Sequence, residues 1–121
     1  MREREPRASV GVAVGYEGDG RQAFSPALNL SVSGVFLATP DPLPVGGEVQ
    51  LVLSLPPDGV FLRIQGRVVR HAGPTEPRGF AVAFSRIDTR SRAELRAFVH
   101  SVGRVRSPAR RPAGLARTER L

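Results

Sequence analysis

Val49, Leu51, Leu53 and Leu55 alternate with Gln50, Val52 and Ser54. Successive side chains of a strand point to opposite faces, so an apolar residue at every second position predicts a strand with one buried face. The same period of two recurs in Val10, Val12, Val14 and Tyr16, set against Gly11, Ala13 and Gly15. It returns in Leu62, Ile64, Gly66 and Val68 against Arg63, Gln65 and Arg67, and in Phe80, Val82 and Phe84 against Ala81 and Ala83. Shorter apolar stretches over 24–30 and 35–38 complete a set of six. Between them lie turn-forming clusters: Glu17-Gly18-Asp19-Gly20, Pro56-Pro57-Asp58-Gly59, and Gly73 to Pro77. Pro40, Pro42 and Pro44 remove ladder donors, so 40–47 reads as a stiff loop rather than a central strand. Six short strands at regular spacing predict a small antiparallel barrel or sandwich.

The period changes once. Leu95, Phe98, Val99 and Val102 form an apolar stripe at helical spacing, so one helix is expected after the strands. Asp88 is the candidate N-cap, with Ser91 and Glu94 as a capping-box alternative, and Gly103 is the candidate stop. Such a helix is expected to plug the barrel's open end or lie across its seam.

Charge is unevenly distributed. All 18 basic residues are Arg, and the formal net charge is +7. Six of these arginines (Arg104, Arg106, Arg110, Arg111, Arg117, Arg120) follow Gly103, opposed only by Glu119. The remaining twelve face ten acidic residues, so residues 1–103 are nearly neutral. The basicity therefore belongs to an appendage, not to a nucleic-acid-binding face. The organisation expected is an Arg-rich flexible segment over 1–9, one folded domain over 10–103 and a disordered basic tail over 104–121.

Several chemistries are excluded by residue supply. Cysteine is absent, so disulfides and thiolate chemistry are not available. Lysine is absent too, which rules out a Walker-type phosphate loop. His71 and His100 have no ligand partner at metal spacing, and no Gly-x-Ser-x-Gly elbow occurs. Neither an enzyme nor a cofactor or metal protein is expected. No apolar run follows the charged start, and none reaches the length of a membrane span, so a cytoplasmic protein is expected.

Binding chemistry concentrates in two places. Asn29-Leu30-Ser31-Val32-Ser33-Gly34 follows the second strand, and Arg2, Arg4 and Arg7 precede the first. An Arg fork holds phosphate through paired charge-assisted bonds and equally matches O6 and N7 of guanine. Asn and Ser add short donors and acceptors, and Gly admits close backbone approach. The same residue types also build ordinary turns and solvated termini, so both readings stand on the residues alone. Arg63 and Arg67, with Arg70 nearby, form an outward cationic stripe that extends this site if strand five borders strand two.

This order of elements resembles the PilZ domain family: Arg residues before strand one, Asn-x-Ser-x-x-Gly after strand two, six antiparallel strands and a helix. Pro42-Leu43-Pro44-Val45-Gly46, Gly66-Arg67-Val68-Val69 and Gly79-Phe80-Ala81-Val82-Ala83-Phe84 add to the likeness, which spans roughly 2–102. The resemblance implies a mainly β fold, a six-stranded antiparallel split barrel with one C-terminal α-helix. It also implies a bacterial receptor for cyclic di-GMP that relays second-messenger binding to a protein partner. On this likeness the ligand-binding residues are Arg2, Arg4, Arg7, Asn29, Ser31 and Gly34. The family's N-terminal motif is Arg-x-x-x-Arg, and here the residue four before Arg7 is Glu3. A degenerate domain that binds no nucleotide and serves motility or surface assembly is therefore the competing reading. Weak nucleic-acid binding through the tail is a third.

Overall fold

The computed structural model describes residues 12–56 and 59–106, with the side chains of 103–106 outside that set. Six strands run in order: β1 (Val12–Gly18), β2 (Arg21–Leu30), β3 (Gly34–Ala38), β4 (Glu48–Leu55), β5 (Val60–His71) and β6 (Gly79–Arg86). One helix, α1 (Thr89–Arg106), follows. All strand pairs are antiparallel, and the order β1-β2-β3-β6-β5-β4 closes on itself through β4 and β1. The six-stranded antiparallel barrel with one C-terminal helix, implied by the family resemblance, is the fold observed.

Alternation decides which side chains fill the interior. Val12, Val14 and Tyr16 of β1 meet Val49, Leu51, Leu53 and Leu55 of β4, Leu62, Ile64 and Val68 of β5, and Phe80 and Val82 of β6. Tyr16 places its ring edge against Phe80, with centroids 5.5 Å apart and planes at 76°, and its hydroxyl pairs with buried Ser25 at 3.1 Å. The partner matters because a buried, unpaired hydroxyl is costly.

Both ends of the barrel are covered. At the end where β1 stops and β4 begins, the proline-rich connection after β3, expected only as a stiff loop, contributes Leu43 to the core. His71 Nε2 lies 2.7 Å from Leu43 O and ties that loop to β5. At the opposite end β6 delivers the chain into α1, whose Leu95 and Val99 are fully buried in the core while Phe98 packs against it. With every strand paired on both sides there is no seam to lie across, so the helix plugs an end.

Asp88 is the N-cap: its carboxylate accepts from Ser91 N at 2.7 Å, and Ser91 does not itself cap. That bond holds the Asp88 carboxyl below its usual range. The first turn carries Arg90 and Arg92 and no acid, so Asp88 also supplies the negative charge that the helix dipole favours there. Gly103, expected as the stop, is passed. The helix continues to Arg106, since a lone Gly costs only about 1 kcal/mol against Ala and the next proline is Pro108. Pro26 sits inside β2 because that part of the strand pairs with β1 before the β3 ladder begins at Ala27.

Leu95→Ala is expected to destabilise the fold by about 2–5 kcal/mol, the range for emptying a fully buried Leu site. Asp88→Ala is expected to lower the melting temperature by less. Urea and thermal unfolding followed by circular dichroism measure both, and an Asp88 effect equal to that of Leu95 would contradict the plug.

Candidate functional site

Two β-bulges shape one groove on the outside of the barrel. In β2 the pairing to β3 shifts between Ala27 and Asn29, so Ala27 and Leu30 both point inward and Asn29 turns out. In β5 the pairing to β6 shifts between Val68 and Arg70, so Val69 is 49% exposed and Arg70 also lies on the surface. A bulge inserts one residue and re-aims those beyond it. The outcome is a continuous cross-strand row: Asn29 opposite Phe36, Phe36 opposite Ala81, Ala81 opposite Arg70. Gly34 opposite Ala83 forms the next row.

The groove encloses about 260 Å³ and is lined by Asn29, Ser31, Ser33, Gly34, Phe36 and Arg70, with Glu76 at its margin. Its floor is low because the outward residues of β3 and β6 include Gly34, Ala81 and Ala83. This accounts for the small residues that alternate with Phe80, Val82 and Phe84. Phe36 points out of the barrel yet is only 7% exposed, because the Arg70 guanidinium lies over its ring, 5.8 Å from the centroid. Ala81, between them in the row, has too small a side chain to interrupt that contact.

The Asn29–Gly34 segment is held from several sides. Ser31 N donates to Gly34 O at 3.0 Å, Ser33 N donates to Ser31 Oγ at 3.2 Å, and Phe84 N donates to Ser33 O at 2.9 Å. Ser31 Oγ lies 3.3 Å from Ser33 Oγ and Ser31 is only 8% exposed. A Cβ at Gly34 would sit 2.5 Å from Val82 O, so the close approach of β6 already requires glycine there.

Arg70 and Glu76 form a bidentate pair, Nη1 to Oε1 at 2.7 Å and Nη2 to Oε2 at 2.9 Å. Glu76 Oε1 also accepts from Gly73 N at 2.7 Å, within a turn closed by Glu76 N donating to Gly73 O at 3.1 Å. The Arg70 bond, supported by the Gly73 bond, lowers the Glu76 carboxyl from 4.5 to about 2, and the same pairing raises Arg70. An acidic side chain thus stands in the groove, but its charge is matched by Arg70.

The sequence-derived residues divide into two groups. Asn29, Ser31 and Gly34 are brought together in the groove, whereas Arg2, Arg4 and Arg7 lie outside the described residues. Strand five does not border strand two, since β3 and β6 stand between them. Of the cationic stripe, Arg70 alone reaches the groove. Arg67 turns the other way, donating to Gly46 O at 2.8 Å and Glu48 Oε2 at 3.4 Å, and Arg63 is paired opposite Val52 on β4. Phe36 and Glu76 were not anticipated. The adjacent valines Val68-Val69 are the sequence sign of the β5 bulge, because Val69 breaks the alternation immediately before Arg70.

Residues 1–101 match the PilZ domain family. The chain belongs to that family. No curated protein sequence matches it. Among solved structures, this PilZ domain is similar to the inhibitor of motility MotI/DgrA of Bacillus subtilis, with TM-score 0.74 and 17% identity over 92% of this chain and 53% of that one. The chain thus spans about half the length of MotI. It is also similar to the PilZ domain of YcgR from Escherichia coli, solved with cyclic di-GMP, with TM-score 0.63 and 17% identity over 92% and 99% of the two chains. A third is PlzA of Borreliella burgdorferi in complex with cyclic di-GMP, with TM-score 0.54 and 13% identity over 82% and 41%. Among the described residues no helix is long and apolar enough to cross a membrane.

Two outcomes test this geometry. Gly34→Ala is expected to cost about 1–3 kcal/mol by forcing β3 from β6, measured by urea unfolding. The Glu76 carboxyl, depressed in the folded state, contributes stability that is complete above 4.5 and lost as pH falls toward 2. Carbon NMR titration of Glu76 is therefore expected to show no inflection near 4.5, and one there would mean the clamp is open in solution.

Proposed function

We propose that this PilZ domain is a cytoplasmic receptor for cyclic di-GMP, in which Arg7 and Arg4, assisted by Arg2, clamp the phosphate and Hoogsteen edge of a guanine. Asn29 and Ser31 bond the base or phosphates from the β2 side, Gly34 keeps the groove floor low, and the ordered segment offers a new surface to a protein partner. Order–disorder changes of this kind are an established way for ligands to signal.

The observation that carries the reading is the shared end of the barrel. Val12 pairs with Ala27, so the chain enters β1 beside the segment that leads to Asn29. Arg7 lies five residues before Val12, a reach of about 17 Å when extended. The Asn29–Arg70 row spans three strand spacings, about 14 Å. The two halves of the motif are therefore within reach of each other. YcgR and PlzA, whose structures contain cyclic di-GMP, share the fold and so lend support.

A second reading keeps the fold and drops the ligand: an interaction subunit in motility or surface assembly. It is favoured by Glu3, a carboxylate four residues before Arg7 that would repel phosphate.

Titration calorimetry at near-physiological salt separates the two. Cyclic di-GMP is expected to give saturable heat and GTP none. Arg7→Ala is expected to weaken binding by about tenfold or more, the worth of one charge-assisted bond. No heat from the wild-type protein would leave the interaction subunit standing, and unchanged affinity in the variant would remove Arg7 from the site.

A further inference from the structure

Arg70 is the one cation among the described residues lining the groove, and every contact it makes limits how a ligand can use it. Its guanidinium carbon lies over the Phe36 ring, 5.8 Å from the centroid. Both Nη atoms are engaged by the Glu76 carboxylate, and Nη1 also donates to His71 O at 3.2 Å. Phosphate recognition by Arg depends on that same two-nitrogen fork. A phosphate would have to displace Glu76, which Gly73 N holds from behind, and would then leave that N–H without its partner. The Arg70 side chain is still 52% exposed, so part of it remains open to a ligand. A guanidinium face stacks readily on aromatic planes and is only weakly hydrated.

We propose that Glu76 sets the ligand chemistry of this groove: by occupying the Arg70 fork it withholds that fork from phosphate and leaves Arg70, backed by Phe36, as a flat plate for a purine ring. The inference rests on the reading of the groove as a nucleotide site and specifies which part of the nucleotide this corner takes. Glu76 is a positioning residue, and Arg70 is the group that touches the ligand. In this arrangement the phosphates are held by other cations and by Asn29 and Ser31. Phe36, Arg70 and the base form a three-layer stack across the outer face of β3, β6 and β5. The acidic side chain in the groove then acts as a selectivity element, excluding small phosphate-rich anions that would otherwise compete for the fork.

Calorimetry with inorganic pyrophosphate as the fork probe and cyclic di-GMP as the ring-bearing probe tests this. The proteins needed are the full chain and its Glu76→Gln, Arg70→Lys, Arg70→Ala and Arg70→Ala/Glu76→Gln variants. Pyrophosphate affinity is expected to rise about tenfold or more in Glu76→Gln, as the fork is released. That gain is expected to vanish in the Arg70→Ala background. No gain, or a gain that persists without Arg70, would overturn the proposal, because Glu76 would then act only as a nearby negative charge. Arg70→Lys keeps the charge and removes the plate, so it is expected to weaken cyclic di-GMP by several-fold, and full retention would overturn the stacking role. A wild-type protein that binds no cyclic di-GMP removes the proposed receptor function, while the pyrophosphate comparison still decides the role of Glu76.

Discussion

The ladder between β1 and β4, running from Ala13 opposite Ser54 to Glu17 opposite Gln50, closes the sheet on itself, and the rest of the molecule depends on it. An open six-stranded sheet would expose two edges with unpaired donors and acceptors. Closure removes both and turns one face of every strand into a shared interior. It also restricts the helix: Leu95 and Val99 can join that interior only through an end. The proline-rich loop does the same at the other end with Leu43. The outer face is thereby relieved of any part in the core, and function can be built there.

What distinguishes one stretch of that face is a departure from regularity. Strict alternation would send Asn29 and Arg70 into the apolar interior, where neither would find a partner. A single inserted residue in β2 and another in β5 reverse them, while the β3–β6 ladder between them keeps its register. That ladder supplies a floor of small residues with Phe36 as its one large ring. The bulged strands supply the polar walls. Beyond that bulge β5 ends at His71, and Glu76 reaches back to Arg70 from the Gly73–Glu76 turn that follows.

The groove is electrostatically self-contained in consequence. Arg70 and Glu76 cancel, and the segment from Ser31 to Gly34 meets its hydrogen-bonding needs largely within itself and with Phe84. Anion attraction is therefore not the work of the groove alone under the proposed function. Under that reading it falls to the arginines that precede β1 in the sequence, and β1 itself begins with Val12 paired to Ala27 of β2.

Much of this was legible from residue order, because alternation and helical spacing are local properties. The apolar faces of β4, β5 and β6, the helix stripe, the Asp88 cap and the Asn29–Gly34 segment all depend on neighbours a few positions away. Gly103 misled because its helix-breaking tendency is weak and nothing after it forces a stop. The order of strands, by contrast, is a long-range property. Residue spacing does not say that β3 and β6 separate β2 from β5, or that β1 closes on β4. Arg63, Arg67 and Arg70 look alike along the chain, and only the position of the bulge and the strands on either side send one to Phe36 and another to Glu48. Residue order thus determined which side chains are apolar, where strands and helix form and which groups carry binding chemistry. Tertiary structure alone decided which of those groups meet, because a register shift of one residue inverts a strand's faces and leaves its composition unchanged.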